Sequence, residues 1–192
     1  MKVLIVTHHY LQGHGGGVFA TRGFINAVSA LYEDVTLLCP VMTGRKPEHI
    51  SPKVRIVEVE DRRPVLKKAF DLLLGCFHRY GKAFPKLIAE ERFDLIIFDN
   101  SYVSGGLIDS AIEHCHKVVT IHHNWQYEYE KDNATGLLRP LRLYYAPRIE
   151  REAVLKSTVN ITLTEQDKEA FYREYDPERK SRIVVCPPFE YE

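Results

Sequence analysis

The fold is decided near the N-terminus, by the apolar run KVLIVT of Lys2–Thr7, the glycine cluster GHGGG of Gly13–Gly17 and the amphipathic segment Val18–Tyr32. The apolar run is continuous rather than alternating, which is typical of a strand covered on both faces. The segment after the glycines has the length and spacing of a helix. This stretch therefore predicts a buried strand, a glycine-rich turn and a helix that packs on a sheet.

Similar apolar runs recur along the chain. They lie at Val35–Leu38, Leu95–Phe98, Val118–Ile121 and Val159–Leu163, with weaker runs at Val54–Val59 and Ile183–Val185. Amphipathic segments of helix length separate most of them, at 64–92 with a break near Gly81, at 103–116, at 137–156 and at 165–175. The alternation predicts the α/β class, with a Rossmann-like, doubly wound parallel sheet of about seven strands. We expect one domain over residues 1–192 and a loop at 43–53.

Composition excludes several classes of protein. The chain has 192 residues, and its 26 Lys+Arg equal its 26 Asp+Glu, so it lacks the basic excess that a nucleic-acid partner calls for. No run of about 18 apolar residues is present, and the N-terminal run is too short for a secretory signal, so we expect a cytoplasmic protein. The cysteines Cys39, Cys76, Cys115 and Cys186 are far apart in sequence and are interpreted as buried apolar residues.

The residues that follow the predicted strands are polar. In a doubly wound sheet ligands bind outside the carboxyl ends of the strands, so these residues are the candidates for a site. They are His8, His9 and His14 after the first run, Asp99, Asn100 and Ser101 after the third, His122, His123, Asn124 and Trp125 after the fourth, and Thr164 and Glu165 after the fifth.

The glycine cluster predicts a close approach of backbone to ligand, where the free N–H groups of a helix start can meet an anion. Its alternative is a flexible turn. The cluster is not a dinucleotide fingerprint, because Val18 stands where the third glycine belongs and the second strand ends at Pro40 without an acidic residue. A Gly-Lys-Ser/Thr sequence is absent, which excludes P-loop chemistry.

The histidines allow a second hypothesis. The pairs His8-His9 and His122-His123 could converge on zinc, as in a metal-dependent hydrolase or deacetylase. Such sites usually add carboxylates, and only Asp99 is near, so we expect no metal site.

Two further features have two interpretations each. Residues 62–86 combine basic and apolar side chains, as in a helix on an anionic membrane surface or in a crossover helix with a solvated basic face. The aromatic residues around 125–145 either stack on a sugar or fill the core. They are Trp125, Tyr127, Tyr129, Tyr144 and Tyr145.

Several motifs together carry a family resemblance. They are Lys2–Thr7 with Gly15–Gly17, FDLIIF at Phe93–Phe98, VVTIH at Val118–His122, EREAV at Glu150–Val154 with VNITLT at Val159–Thr164, and RIVVCPPF at Arg182–Phe189. In this order they resemble the N-terminal domain of a retaining, nucleotide-sugar-dependent glycosyltransferase of GT-B fold, family four. The chain departs from the family at Asp99, where His is frequent, at Thr164 in place of Ser, and at Pro188 and Phe189 in place of Asn-Gly.

The resemblance implies transfer of a glycosyl group with retention, from a nucleotide-sugar donor to a glycan or lipid-linked acceptor, in cell-surface polysaccharide or glycolipid synthesis. It implies no cofactor and no obligatory metal. Gly15, Gly16 and Gly17 would lie by the donor phosphates or sugar, and His122 would be the catalytic residue near the reaction centre. The acceptor would meet His9, His14, Asp99, Asn100, His123, Asn124, Thr164 and Glu165.

The resemblance also implies a C-terminal, donor-binding domain of the same full-length chain, with a Glu, seven residues, Glu motif that these 192 residues lack. The sequence ends where the linker to that domain is expected, so we expect the domain alone to be inactive. With a lipid-linked acceptor, 62–86 would touch the inner face of the membrane. The remaining alternatives are the metal-dependent hydrolase and a non-catalytic nucleotide- or glycan-binding module.

Overall fold

The structure is a computed structural model that describes residues 1–42, 49–61, 63–73 and 80–187. Within these residues the strands form one sheet of seven, in the order β3-β2-β1-β4-β5-β6-β7, and every pair is parallel. The strands are β1 Lys2–Thr7, β2 Asp34–Pro40, β3 Arg55–Val59, β4 Leu95–Asp99, β5 Val118–His122, β6 Val159–Thr162 and β7 Ile183–Val185. The predicted fold class is confirmed, and each predicted apolar run is a strand.

The helices pack on both faces of the sheet, because each parallel strand needs a crossover connection. They are α1 Gly16–Leu31, α2 Val65–Leu73, α3 Ala83–Glu90, α4 Ser101–Ser104, α5 Ile108–His114, α6 Gln126–Asn133, α7 Arg139–Lys156 and α8 Glu165–Glu174. The order places β4 beside β1, so the chain reverses its direction of winding between these two central strands. Ligands of doubly wound sheets bind at such a reversal, at the carboxyl ends of the strands.

Two helix predictions differ from the structure. The segment predicted as one helix at 103–116 is split into α4 and α5 at Gly105 and Gly106. Gly106 has a φ of +71°, which ends a helix, and a Cβ on Gly105 would lie 2.9 Å from Ile149 Cγ2. Helix α6 was missed, since its sequence QYEYEKDN has no helical spacing of apolar residues.

The core has two main layers because successive strand residues point to opposite faces. On one face Leu4, Val6 and Phe98 pack with α3 and α5; on the other Val3 and Ile5 pack with α1. A third cluster forms where Phe171 of α8 packs against Val154 of α7 and Ile183 of β7.

Two cysteine predictions hold within the described residues. Cys39 and Cys115 are buried, as predicted, whereas Cys186 is only partly buried. Cys76 lies outside the described residues, as do 43–48 of the predicted loop.

Residues 64–92 fold as α2 and α3 with a break that includes Gly81, as predicted, although 74–79 lie outside the described residues. Phe84 of α3 is fully buried, so this half of the segment packs on the sheet. In α2, Leu66 and Phe70 are 85% and 59% exposed. In this segment α3 is thus a crossover helix packed on the sheet, whereas α2 has apolar side chains that are exposed.

Candidate functional site

A buried carboxylate lies at the centre of the carboxyl edge of the sheet. Asp99 ends β4 and is 1% exposed. Its Oδ1 accepts a hydrogen bond from His123 Nε2 at 2.6 Å. Its Oδ2 accepts from the hydroxyls of Thr7 at 2.6 Å and Thr21 at 2.7 Å. These donors come from the end of β1, from α1 and from the residue after β5, so the pair of Asp99 and His123 fixes three elements together.

The charges of this cluster follow from the contacts. Burial alone would raise the pKa of Asp99, but the His123 imidazole and the hydroxyl donors hold that pKa well below its usual range. Burial lowers the pKa of His123, but the Asp99 carboxylate outweighs it and the net change is upward. Each group therefore favours the charged form of the other, and their contact is a charge-assisted hydrogen bond whenever His123 is protonated.

His9 completes the cluster from the loop after β1. Its ring meets the His123 ring edge to face, with 5.5 Å between centroids. Burial lowers the pKa of His9, and the nearby His123 lowers it further against the pull of Asp99, so the imidazole is neutral. Two buried ring nitrogens, His9 Nε2 and His123 Nδ1, have no hydrogen-bond partner among the described residues.

The ring of His9 leaves little room for a side chain at Gly17. A Cβ at Gly17 would lie 3.1 Å from His9 Cε1 and 3.3 Å from Nε2, which is closer than ordinary van der Waals contact. One glycine of the predicted phosphate-binding cluster thus lets α1 pack against the histidine.

The same three residues carry atoms that could bind a metal ion. His9, Asp99 and His123 bring potential ligand atoms within 4.8 Å of one another. Atoms that share one tetrahedral zinc ion are about 3.4 Å apart, given Zn–N and Zn–O bonds of about 2.1 Å. The 2.6 Å between Asp99 and His123 is a hydrogen-bond distance, and both oxygens of Asp99 already accept from protein donors. The geometry fits a shared proton better than a metal ion.

The start of α1 is open. Gly15 is the N-cap and offers no side chain to the first amides of the helix. A Cβ at Gly15 or Gly16 would meet nothing within 4 Å, and neither residue has a positive φ, so nothing in this domain requires glycine there. The loop below is held by Arg22, which is buried and donates from Nε to the Leu11 carbonyl at 2.9 Å and from Nη2 to the Gly13 carbonyl at 3.1 Å. This predicted anion site is thus uncapped, with a buried positive charge beneath it.

His122 and His123 have different surroundings. His122 is 1% exposed, its Nε2 donates to Asn160 Oδ1 at 3.0 Å, and its ring packs edge to face on Phe171. Burial lowers the pKa of His122 to about 4, against the hydrogen bond to Asn160, so the ring is neutral. Its Nδ1 is also buried and has no partner among the described residues. The predicted catalytic imidazole is therefore enclosed within this domain.

The other predicted site residues lie along the same edge. Asn100 has a φ of +110° and its Oδ1 accepts from the Tyr102 amide at 2.8 Å, so its side chain caps α4. Thr164 caps α8 by accepting from the Asp167 amide at 3.0 Å. His14 and Glu165 are exposed, and Asn124 is partly buried.

A second buried carboxylate shapes the loop after β5. Glu150 of α7 is fully buried, and its oxygens accept from the amides of Gln126 at 2.6 Å and Tyr127 at 3.2 Å. The Tyr175 hydroxyl donates to it at 2.9 Å and accepts from Trp125 Nε1 at 3.1 Å. Burial raises the pKa of Glu150 to about 8, although these donors oppose it. The network fixes the start of α6.

Sequence reasoning found one of the residues that hold the site and missed two. Thr7 ends the first strand and belongs to the polar residues expected at that edge of the sheet. Thr21 and Arg22 lie in the interior of α1, where nothing in the sequence distinguishes them from solvent-facing polar residues.

The parallel sheet, the reversal at β1 and β4 and the polar carboxyl edge define an α/β domain of the ligand-binding, doubly wound class. A family model described as Glycosyltransferase Family 4 matches residues 14–189, and the chain belongs to that family. It is an N-terminal domain of a GT-B glycosyltransferase, as the sequence motifs predicted. No curated protein sequence matches the chain closely enough to count as a relative.

Solved structures support the fold. The sucrose-phosphate synthase of Thermosynechococcus elongatus has a TM-score of 0.69 at 14% identity, over 97% of this chain and 48% of that one. The lipopolysaccharide outer core galactosyltransferase WaaB, in its apo form, has a TM-score of 0.58 at 11% identity, over 96% of this chain and 45% of that one. Anabaena Alr3699/HepE, in complex with UDP and glucose, has a TM-score of 0.58 at 14% identity, over 96% and 44%. The chain spans about half the length of these proteins.

None of the helices within the described residues is both long enough and apolar enough to cross a bilayer.

Proposed function

We propose that this glycosyltransferase domain acts in transfer of a hexosyl group from a nucleotide-sugar donor to an acceptor hydroxyl, with retention of configuration. The observation that carries the proposal is the uncapped start of α1, where Gly15 and Gly16 leave unfilled space beside free helix amides. An anion at that position is stabilised by the amides and by the helix dipole. A diphosphate leaving group develops such a charge.

In this reaction the bond from the anomeric carbon to the diphosphate oxygen breaks. A bond from the same carbon to the acceptor oxygen forms on the same face, and the hydroxyl proton leaves with the diphosphate. Amides at Gly16 and Gly17 stabilise the charge that grows on the leaving phosphate. Arg22 supports the loop from below and adds a fixed positive charge.

The remaining predicted roles stay part of the proposal. His122 contacts the donor sugar or the acceptor near the reaction centre, after a rearrangement that opens its enclosed ring. The acceptor side is formed by the strand-end residues His9, His14, Asp99, Asn100, His123, Asn124, Thr164 and Glu165. No metal is required, in keeping with an Asp99 carboxylate whose oxygens are already engaged.

A C-terminal domain of the same full-length chain supplies most of the donor site, and the 192 residues alone are inactive. This part of the proposal is supported by the solved structures, which are about twice as long as the chain.

The acceptor is a glycan or a lipid-linked saccharide of cell-surface polysaccharide or glycolipid synthesis, and the protein is cytoplasmic. Exposed Leu66 and Phe70 on α2, next to Lys67 and Lys68, favour peripheral contact with the inner face of the membrane. Asp71 pairs with Lys67 and Asp61 with Lys68, which weakens the attraction of this helix to anionic lipid.

The test uses the full-length gene product and, beside it, this chain. Incubation with UDP- and GDP-sugars and a panel of saccharide and lipid-linked acceptors is expected to release nucleoside diphosphate from the full-length protein only, with EDTA present. NMR of the product is expected to show the anomeric configuration of the donor. Stoichiometric zinc in elemental analysis, with no nucleotide response, would instead support the hydrolase. Nucleotide or glycan affinity without turnover would support the binding module.

A further inference from the structure

A cavity of about 330 Å³ lies beside the carboxyl edge of the sheet, between α6 and α8. Its walls come from the loop after β5 and from the two helices, so it neighbours the site without using Asp99, His122 or His123. Its aromatic, amide and charged lining residues include Asn124, Trp125, Glu128, Asp132, Asp167 and Arg173.

The aromatic wall of this cavity is held in place. Trp125 Nε1 donates to the Tyr175 hydroxyl, and Tyr175 in turn donates to Glu150. Glu150 also accepts the first amides of α6, which fixes that helix against α7 and the Trp125 loop. The indole is therefore preorganised, and a ligand that packs on it loses little of its binding free energy to ordering the protein.

The polar groups of the cavity suit hydroxyl donors. Glu128, Asp132 and Asp167 are carboxylates, which only accept hydrogen bonds when ionised. Asn124 adds an amide whose Oδ1 is buried and has no hydrogen-bond partner among the described residues. A sugar ring matches this set, with hydroxyls for the oxygens and C–H groups for the part of the indole that the Arg173 guanidinium, 5.7 Å from the ring centroid, leaves uncovered. The volume fits about one or two sugar rings.

The charge of the cavity excludes anions. Glu128 is paired with Lys131 at 3.3 Å and Arg173 with Glu174 at 2.8 Å, so the carboxylates of Asp132 and Asp167 give the cavity its net negative charge. A phosphate or a uronic acid would meet net negative charge in a partly desolvated site, whereas a neutral or amino sugar would not. The cavity thus differs in sign from the uncapped start of α1.

We infer that the cavity between α6 and α8 is a saccharide subsite that takes a neutral or amino sugar and rejects anionic ones. In one respect the inference rests on the proposed function, because the bound sugar is taken to be part of the acceptor. The subsite is a specificity element, apart from the bond that forms in the transfer.

Trp125 is the only tryptophan of the chain, so its fluorescence reports on this cavity alone. Titrations of this chain with methyl α-glucoside, glucosamine and glucuronate are expected to give saturable changes for the first two. Glucuronate is expected to bind at least about tenfold more weakly, about 1.4 kcal/mol. Equal binding of glucuronate would overturn the charge argument, and no saturable response to any of the three would overturn the subsite.

Asp132→Asn is the informative variant, since Asp132 is exposed and lies on the cavity wall. It is expected to weaken glucosamine binding about fivefold to tenfold and to narrow the difference from glucuronate. Glu113→Gln, on the exposed side of α5, is the matched control and is expected to leave both affinities unchanged. An Asp132→Asn chain that binds all three sugars like the original overturns the assignment.

The two proposals fail separately. Sugar binding in the cavity of a full-length protein that shows no transfer refutes the proposed function and keeps the subsite. If the full-length protein transfers sugar and Asp132→Asn leaves KM unchanged for every acceptor, the subsite does not bind the acceptor. The proposed function then stands without it.

Discussion

Asp99 and Glu150 are two buried carboxylates at the same edge of the sheet, and their pKa values move in opposite directions. Each is almost fully enclosed and each accepts three hydrogen bonds from the protein. The pKa of Asp99 falls well below its usual range, whereas the pKa of Glu150 rises to about 8. The number of hydrogen bonds therefore does not decide the charge.

The difference lies in the donors. Asp99 has the His123 imidazole at 2.6 Å, which carries a full positive charge when protonated. Glu150 has two backbone amides and a phenol, which are dipoles and offset only part of the cost of burying a charge. We infer that the Asp99 carboxylate is ionised within its cluster. The Glu150 carboxyl group holds the start of α6 in place and takes up a proton readily.

The largest effect is expected on removing the ionised partner. Asp99→Ala leaves the His123 imidazole and two threonine hydroxyls buried without their acceptor, and is expected to lower the free energy of unfolding by about 3–5 kcal/mol. Urea unfolding measures the change. Asp109→Ala breaks an exposed pair with Lys156 and is expected to cost about 1 kcal/mol or less, as the control. Equal losses for the two variants would contradict the importance of the cluster.

The second prediction concerns the pH dependence of stability. Because the folded pKa of Glu150 lies above its ordinary 4.5, its contribution is fully present below pH 4.5 and is lost as the pH rises through about 8. Asp99 has the opposite sign: its contribution is present above the ordinary 3.8 and is lost as the pH falls. Unfolding free energies of Glu150→Gln, at both ends of the window from 4.5 to 8, are expected to lose most of the decline with pH. An unchanged decline would place its cause elsewhere.

The third prediction concerns the effect of Asp99 on the pKa of His123. The pKa of His123 lies above its ordinary 6.5 in the native chain. In Asp99→Asn the charge of the partner is lost and the effect of burial remains, so the pKa is expected to fall below 6.5. Ring proton shifts in NMR titrations measure it. Burial keeps the pKa of His122 near 4, so that pKa is expected to change much less, with a small rise as the charge on His123 is lost.

The smallest effects are expected in the glycine cluster. Gly17→Ala pushes a Cβ against His9 and is expected to destabilise the Asp99 side by about 1 kcal/mol, with no change in the Glu150 network. Gly16→Ala enters open space and is expected to be neutral or to stabilise by about 0.5 kcal/mol. Thermal unfolding compares them. Transfer by the full-length protein is expected to fall in Gly16→Ala, and retained transfer would argue against phosphate contact there.

The strands could be predicted from the sequence because continuous apolar runs are a local property of a buried parallel sheet. Helix α6 could not, since its start is capped by Glu150, which lies 24 residues beyond Gln126. The break at Gly105 and Gly106 was visible in the sequence and was overlooked. Boundaries elsewhere differ by a few residues.

The site was predictable only in outline. His9, Asp99 and His123 follow or end predicted strands, so the sequence predicted them at one edge of the sheet. The structure places them in contact. The sequence could not show that the adjacent His122 and His123 have different contacts. His122 packs on Phe171, whereas His123 bonds to Asp99. Nor could the sequence supply Thr21, which is 78 residues from Asp99 and bonds to it through the fold alone.

The position of β1 between β2 and β4 has a consequence in time. β1 can pair with β2 once about 40 residues have been made, but its other edge waits for β4, whose contacts with β1 span 92 residues of sequence. At about 5–20 residues per second, the nascent chain carries an unpaired, apolar strand edge for several seconds. We expect the first 94 residues, expressed as a fragment, to aggregate, and the ribosome-bound chain to depend on chaperones until β4 emerges.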